Sequence, residues 1–224
     1  MQLSPRATRH LDAIQRAMDC AELGARVRTI RCVTGLAPRM LQRLLFSDSN
    51  AIPRGRAPDS PEWYHSANLL YRTDASLFSA LYQRLRRSGF GPADALTGGY
   101  RHYRLLTPTP ARISFDRAFD LASHIDGIWV ARTASFEVIS CAHCASEFLV
   151  SLGTVATAAS CPFCKLLHRY RNDPRVQSAF PVQPLPDPRA VLDGWKALQS
   201  AAAAGASAAD DAIAGSPGPG EPHG

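Results

Sequence analysis

The sequence predicts a mainly α protein: a helical N-terminal domain with a helix-turn-helix-like segment, then a small C-terminal module built on four cysteines. Three observations predict it. Apolar residues recur at steps of three and four through most of residues 7–130, the spacing that lines one face of a helix. Composition changes at Thr133, after which two short apolar runs flank a turn holding cysteines, the pattern of a strand pair. Beyond Arg175 the chain carries seven of its 17 prolines and ends in Ala/Gly/Pro low complexity, which cannot build a core and reads as largely disordered.

The first helical segment, Ala7 to about Val33, places Leu11, Ile14, Met18, Ala21 and Ala25, then Val27, Ile30 and Val33, with a break in phase near Gly24. Thr34-Gly35 interrupts the pattern, and Leu36 to Phe46 resumes it through Met40, Leu41, Leu44 and Leu45. Pro38 falls early in this second helix, where its missing N–H costs nothing. Helix, Thr-Gly-Leu corner, short helix is the outline of a helix-turn-helix. Its second helix carries Arg39, Gln42 and Arg43, side chains suited to phosphates and base edges. An ordinary helical hairpin has the same outline.

Residues Ser47 to Pro61 hold three prolines and no periodicity, so they read as a long loop containing Arg54 and Arg56. Helical patterns return from Glu62 to Arg87, with Leu69, Leu70, Leu77, Phe78, Leu81 and Leu85 facing a core. The aromatics Trp63, Tyr64, Tyr71, Phe78 and Tyr82 share that spacing and read as packing rather than as a base-stacking platform. A turn at Ser88–Pro92 leads to a helix over Ala93–Leu106, and a break at Thr107–Pro110 to a last one over Ile113–Val130. Asp116, Asp120 and Asp126, near His124 on that last helix, read as solvated charges rather than a catalytic cluster.

Twenty-five basic residues against 19 acidic ones leave a net charge of +6, and all but Lys165 and Lys196 of the basic residues are Arg. From Arg26 to Arg56 there are seven Arg and one acid, Asp48. Such a surplus serves a polyanion, or a solvated helix face. Arg26, Arg28, Arg31, Arg39 and Arg43, with Arg54 in the loop, are the candidate DNA contacts.

The sharpest signal is Cys141-Ala-His-Cys144 followed, after sixteen residues, by Cys161-Pro-Phe-Cys164. Each C-x2-C pair aims two sulfurs at one centre, and the interval lets the pairs meet as a tetrahedron. Four thiolates fit one structural Zn²⁺ in a zinc-ribbon-like module, with every position filled and none left for a reactive water. His143 and His168 lie near enough to compete as ligands but rank below the sulfurs. Cys20 and Cys32 lie twelve residues apart without a knuckle and read as buried free thiols. No P-loop, dinucleotide fingerprint, HExxH or G-x-S-x-G is present, and the chain is not read as an enzyme. The domain division that follows is residues 1–130 for DNA or partner binding, 131–172 for zinc, and 173–224 as tail.

In this order, Leu23-Gly-Ala-Arg26, Thr34-Gly-Leu36, Pro53-Arg-Gly55, Glu62-Trp-Tyr64, Asp74-Ala-Ser-Leu-Phe78, Asp94-Ala-Leu96, Tyr100-Arg-His-Tyr103, Arg117-Ala-Phe119, Asp126-Gly127 and both cysteine pairs resemble the FlhC family. That family supplies one subunit of the bacterial flagellar master activator FlhD–FlhC. The resemblance implies a helical protein whose Cys141, Cys144, Cys161 and Cys164 hold the metal. It also implies assembly with an FlhD-like subunit into a hetero-oligomer that binds promoter DNA and recruits RNA polymerase. The chain departs from the family where Ala145-Ser146 replaces glycine after the second cysteine, and where Lys165-Leu-Leu-His-Arg-Tyr-Arg171 replaces a Pro-Pro-Ser-Arg stretch. The loop from Arg54 to Ser60 is also altered.

Two other readings use the same cysteines: a zinc-ribbon adapter that binds proteins but no DNA, and a thiol redox protein. No apolar stretch approaches the roughly 18–20 residues of a membrane span, and the N-terminus lacks a signal-peptide core. The expected location is the cytoplasm.

Overall fold

The computed structural model describes residues 4–46, 60, 62–107, 110–154, 160–181 and the positions 189, 192, 193 and 196. Residues Met1–Pro181 group into one compact unit and Val182–Gly224 into a second. Among the described residues the order is α1 (Pro5–Glu22), α2 (Val27–Thr34), α3 (Pro38–Leu45), α4 (Glu62–Ser66), α5 (Leu69–Arg87), α6 (Pro92–Leu106), α7 (Phe115–Asp126), β1 (Phe136–Ser140), β2 (Glu147–Ser151), α8 (Pro162–Tyr170) and α9 (Pro174–Ala179). The mainly helical expectation holds, and no described helix is long and apolar enough to cross a membrane.

The break in phase near Gly24 separates two helices. The Ser4 hydroxyl accepts from the Ala7 N–H and starts α1, satisfying one of the donors a helix N-terminus leaves open. α2 stops at Gly35, and the Thr34 hydroxyl stitches the corner by donating to the Ile30 carbonyl at 2.7 Å and accepting from the Leu36 N–H at 3.3 Å. Ile30, Leu36 and Leu41 are buried beneath it and join α1 through Ala17 and Cys20. The helical stretch expected from Glu62 to Arg87 is two helices. Asn68 lies between them and caps α5, its side chain accepting from the Tyr71 N–H.

α5 and α6 form the most extensive pair in the fold, and Gly99 explains why. A Cβ there would meet the backbone of Tyr82 at 3.3 Å, so glycine inside this helix allows the two backbones to close. α7 is buried on nearly every side. This corrects the reading of its acids as solvated. Asp116 and Asp120 are buried, and all three tie α7 to its neighbours. Asp116 accepts from the Arg26 N–H at 3.1 Å and the Thr29 hydroxyl at 2.6 Å, and pairs with the Arg26 guanidinium. Asp120 accepts from the Trp63 indole at 2.8 Å, and Asp126 from the Tyr82 hydroxyl and Arg86, both at 2.7 Å. A carboxylate on a helix is solvated only where the helix has a solvent face, and α7 has almost none.

The hairpin β1–β2 pairs antiparallel, Val138 opposite Leu149 and Ile139 opposite Phe148. Alternation sends its two faces to different places. Phe136, Val138 and Leu149 join the helical core, while Phe148 and Val150 pack with Cys141 and Cys161. The tail expected from the sequence begins with ordered structure, since α9 lies within it. Beyond Pro181 the segment read as disordered lies outside the described residues, apart from the four isolated positions.

Candidate metal centre

Cys141 follows β1 directly, and Cys144 ends the turn three residues later. The knuckle is held by the Ala145 N–H donating to the Cys141 carbonyl at 2.9 Å and the Cys141 N–H donating to the Ser146 carbonyl at 2.9 Å. The His143 N–H points at the Cys141 sulfur from 3.4 Å. The second pair sits on a helix rather than on a second hairpin: Cys161 is the residue before α8, Pro162 its first residue, and Cys164 lies in its first turn. Proline at that position pre-sets the helical φ. Apart from this proline, α8 has only the half-buried Phe163, Leu166 and Tyr170 at helical spacing to announce it in the sequence.

The sulfurs lie together. All four are within 4.8 Å of one another, with Cys141 Sγ to Cys164 Sγ and Cys144 Sγ to Cys161 Sγ both 3.8 Å. A regular tetrahedron with metal–sulfur distances of about 2.3 Å has edges of about 3.8 Å. The donor set therefore fits a four-coordinate, thiophilic metal ion. The same separations are nearly twice the length of about 2.05 Å in a disulfide, and all six cysteines are free.

Cys144, Cys161 and Cys164 hold their protons unequally. Hydrogen bonds from the Ser146 hydroxyl and N–H bring the Cys144 thiol down to about 6. Hydrogen bonding to Cys144, followed by burial, pushes Cys164 up to about 12, and burial raises Cys161. Ser146 is the hydrogen-bonding neighbour of the sulfurs that spacing alone did not single out. His143 and His168 are exposed and stand outside the sulfur cluster, at the rim of an open hollow of about 640 Å³ that the Cys144 and Cys164 side chains also line.

The arginines singled out in the sequence divide. Arg26 precedes α2 and its guanidinium is turned onto buried Asp116. Arg28 and Arg31 on α2, and Arg39 and Arg43 on α3, lie outside the core, and no carboxylate among the described residues pairs with them. Arg54 lies outside the described residues.

Residues 6–176 match the model of a family described as flagellar transcriptional activator, FlhC. A search of curated proteins found no match.

Proposed function

The chain belongs to the FlhC family of flagellar transcriptional activators, and from that premise we propose that it is a zinc-containing activator subunit that binds promoter DNA together with an FlhD-like subunit. The family is one of transcriptional activators, not of enzymes. The observation that carries the proposal is the reach of the match. It runs from Arg6 to Val176, so it takes in the α1–α3 unit, the helical body and all four cysteines together.

The residues support a division of labour. Cys141, Cys144, Cys161 and Cys164 hold one Zn²⁺, which supplies no reaction here; it clamps the β1–β2 knuckle to α8. Arg28, Arg31, Arg39 and Arg43 stand on the two helices around the Thr34–Leu36 corner. That is where helix-turn-helix proteins present groups to the phosphates and base edges of the major groove. Arg26 is the exception, because its partner Asp116 keeps it within the protein. The assembled hetero-oligomer then brings RNA polymerase to flagellar or related promoters in the cytoplasm.

Native mass spectrometry of the chain co-expressed with its host's FlhD-like subunit tests this, with promoter DNA added last. The expected result is a hetero-oligomer carrying one zinc per copy of this chain that shifts on adding DNA. A zinc-loaded species that assembles with protein but ignores DNA would overturn the DNA-binding reading and leave a protein-binding adapter.

A further inference from the structure

Several cations of the helical body are committed to carboxylates: Arg86 to Asp126 at 2.7 Å, Arg101 to Asp19 at 3.0 Å, and Arg112 to buried Asp74 at 3.2 Å. On α8 and just beyond it the cations are not. Lys165, Arg169, Arg171 and Arg175 lie outside the core, and no carboxylate among the described residues pairs with them. Asp173 is the one acid between Ser160 and Pro181, and its side chain caps α9 by accepting from the Arg175 N–H at 3.0 Å.

Helical geometry concentrates this charge. Phe163 and Tyr170 are half-buried on one side of α8, while Lys165, His168 and Arg169 belong to the other. Lys165 and Arg169 are neighbours at i and i+4, an arrangement that destabilises a helix when the charges are alike. A neutralising partner outside the chain removes that cost. The metal does not account for the whole cluster. Zn²⁺ with four thiolates leaves a local charge of about −2, and Lys165 and Arg169 line the hollow beside Cys144 and Cys164. Arg171 and Arg175 are not part of that lining.

We propose that the outer face of the metal module is a second DNA-binding surface, on which Lys165, Arg169, Arg171 and Arg175 neutralise backbone phosphates of the duplex. It rests on the reading of the chain as a DNA-binding subunit and adds to it a region separate from the helix-turn-helix. α8 is seated on α5 and α9, whereas α3 is seated on α1 and α2. Lysine and arginine on phosphates position a protein without reading sequence. The clamp formed by the four cysteines therefore has a consequence for binding: it fixes the helix that carries these cations.

The test is the salt dependence of DNA affinity, measured on the zinc-loaded complex with its FlhD-like subunit. The probes are the host's flagellar promoter duplex and a random-sequence duplex of equal length. In the variant K165Q/R169Q/R171Q, the slope of log affinity against log salt should flatten by about 0.9 for each phosphate no longer neutralised. Affinity should weaken by the same factor on both duplexes, with zinc content and melting temperature as in the parent. R171Q/R175Q lies beyond α8 and should flatten the slope in the same way, which keeps the test decisive if the triple variant does not fold. Slopes equal to the parent's in both variants overturn the proposal, including when the variants instead lose a co-purifying protein. A parent complex with no salt-sensitive DNA binding overturns the broader reading as well. A slope that falls only in R39Q/R43Q keeps that reading and rejects this surface.

Discussion

Asp116 shows how one side chain joins two parts of the chain that lie far apart in sequence. It takes hydrogen bonds from Thr29 and from the backbone of Arg26, and the Arg26 guanidinium completes the set. Removing the carboxylate leaves three groups at a buried site without their partner. Asp116→Ala should destabilise the protein by about 3 kcal/mol, within the range for breaking a buried pair. Asp116→Asn, which keeps an acceptor oxygen, should cost clearly less in a urea titration. Equal losses would mean that the charge, not the acceptor, holds α2 to α7. Cys20 makes a separate prediction. It is fully buried, and burial, with Asp19 adding to it, pushes its thiol from 9.0 up to about 12. Above the ordinary value the unfolded chain loses this proton while the folded one keeps it. The unfolded state then binds fewer protons, and stability falls as pH rises. The loss attributable to Cys20 is at most about 1.4 kcal/mol per pH unit between roughly pH 9 and pH 12. Cys20→Ala should flatten that alkaline slope without abolishing it, because burial also raises Tyr82 and Tyr103. An unchanged slope in urea midpoints across this range would reject the assignment.

The elements differ in how openly the sequence announces them, and the difference is local against tertiary information. The knuckle and the Thr34–Leu36 corner are legible because each is written in a few adjacent residues: two cysteines three apart, or a glycine and a proline around a hydroxyl. The hairpin is legible from short apolar runs on both sides of the first cysteine pair. The role of the α7 acids is not, since it depends on α2, α4 and α5 arriving around that helix from elsewhere in the chain. Arg26 misleads for the same reason, as nothing near it in sequence reveals Asp116. α8 and α9 are short, so their inward residues make too brief a pattern to stand out. Ala145 joins the two kinds of information. It stands where the resemblance expects glycine, and its φ is +57°, a left-handed conformation that costs a residue with a Cβ roughly 1–2 kcal/mol. Ala145→Gly should therefore relax the knuckle and hold zinc more tightly, by about fivefold for each kcal/mol recovered. Competition with a chromophoric chelator measures this, and equal or weaker retention would show that the strain is relieved some other way.

At the scale of the molecule the hairpin is a shared wall between two cores, and this decides what metal removal does. One face belongs to the helical body through Phe136, Val138 and Leu149. β2 is also tied there by hydrogen bonds, with the Tyr64 hydroxyl donating to the Leu149 carbonyl at 2.7 Å and the Leu149 N–H donating to Ser76 at 3.2 Å. Arg84 and Arg87 add ion pairs to Glu147 from α5. The other face meets a small cluster of Phe148, Val150 and the cysteines, and α8, which is also seated on α5 and α9, has few apolar residues of its own to hold it there without the metal. A structural zinc site supplies on the order of 10 kcal/mol of folding free energy in small modules, and here that stabilisation falls on one side of the wall. Chelation should consequently loosen α8 and the Cys141–Cys144 turn while the hairpin and α1–α7 remain folded. Hydrogen exchange followed by mass spectrometry should show protection lost from about Phe163 to Tyr170 on adding chelator and restored on adding zinc, with the Leu149 amide protected throughout. Cys161→Ser should reproduce the chelated pattern and bind no metal. Exchange of β1 and β2 in step with α8 would refute the two-sided wall and make the metal a condition for folding the whole C-terminal half.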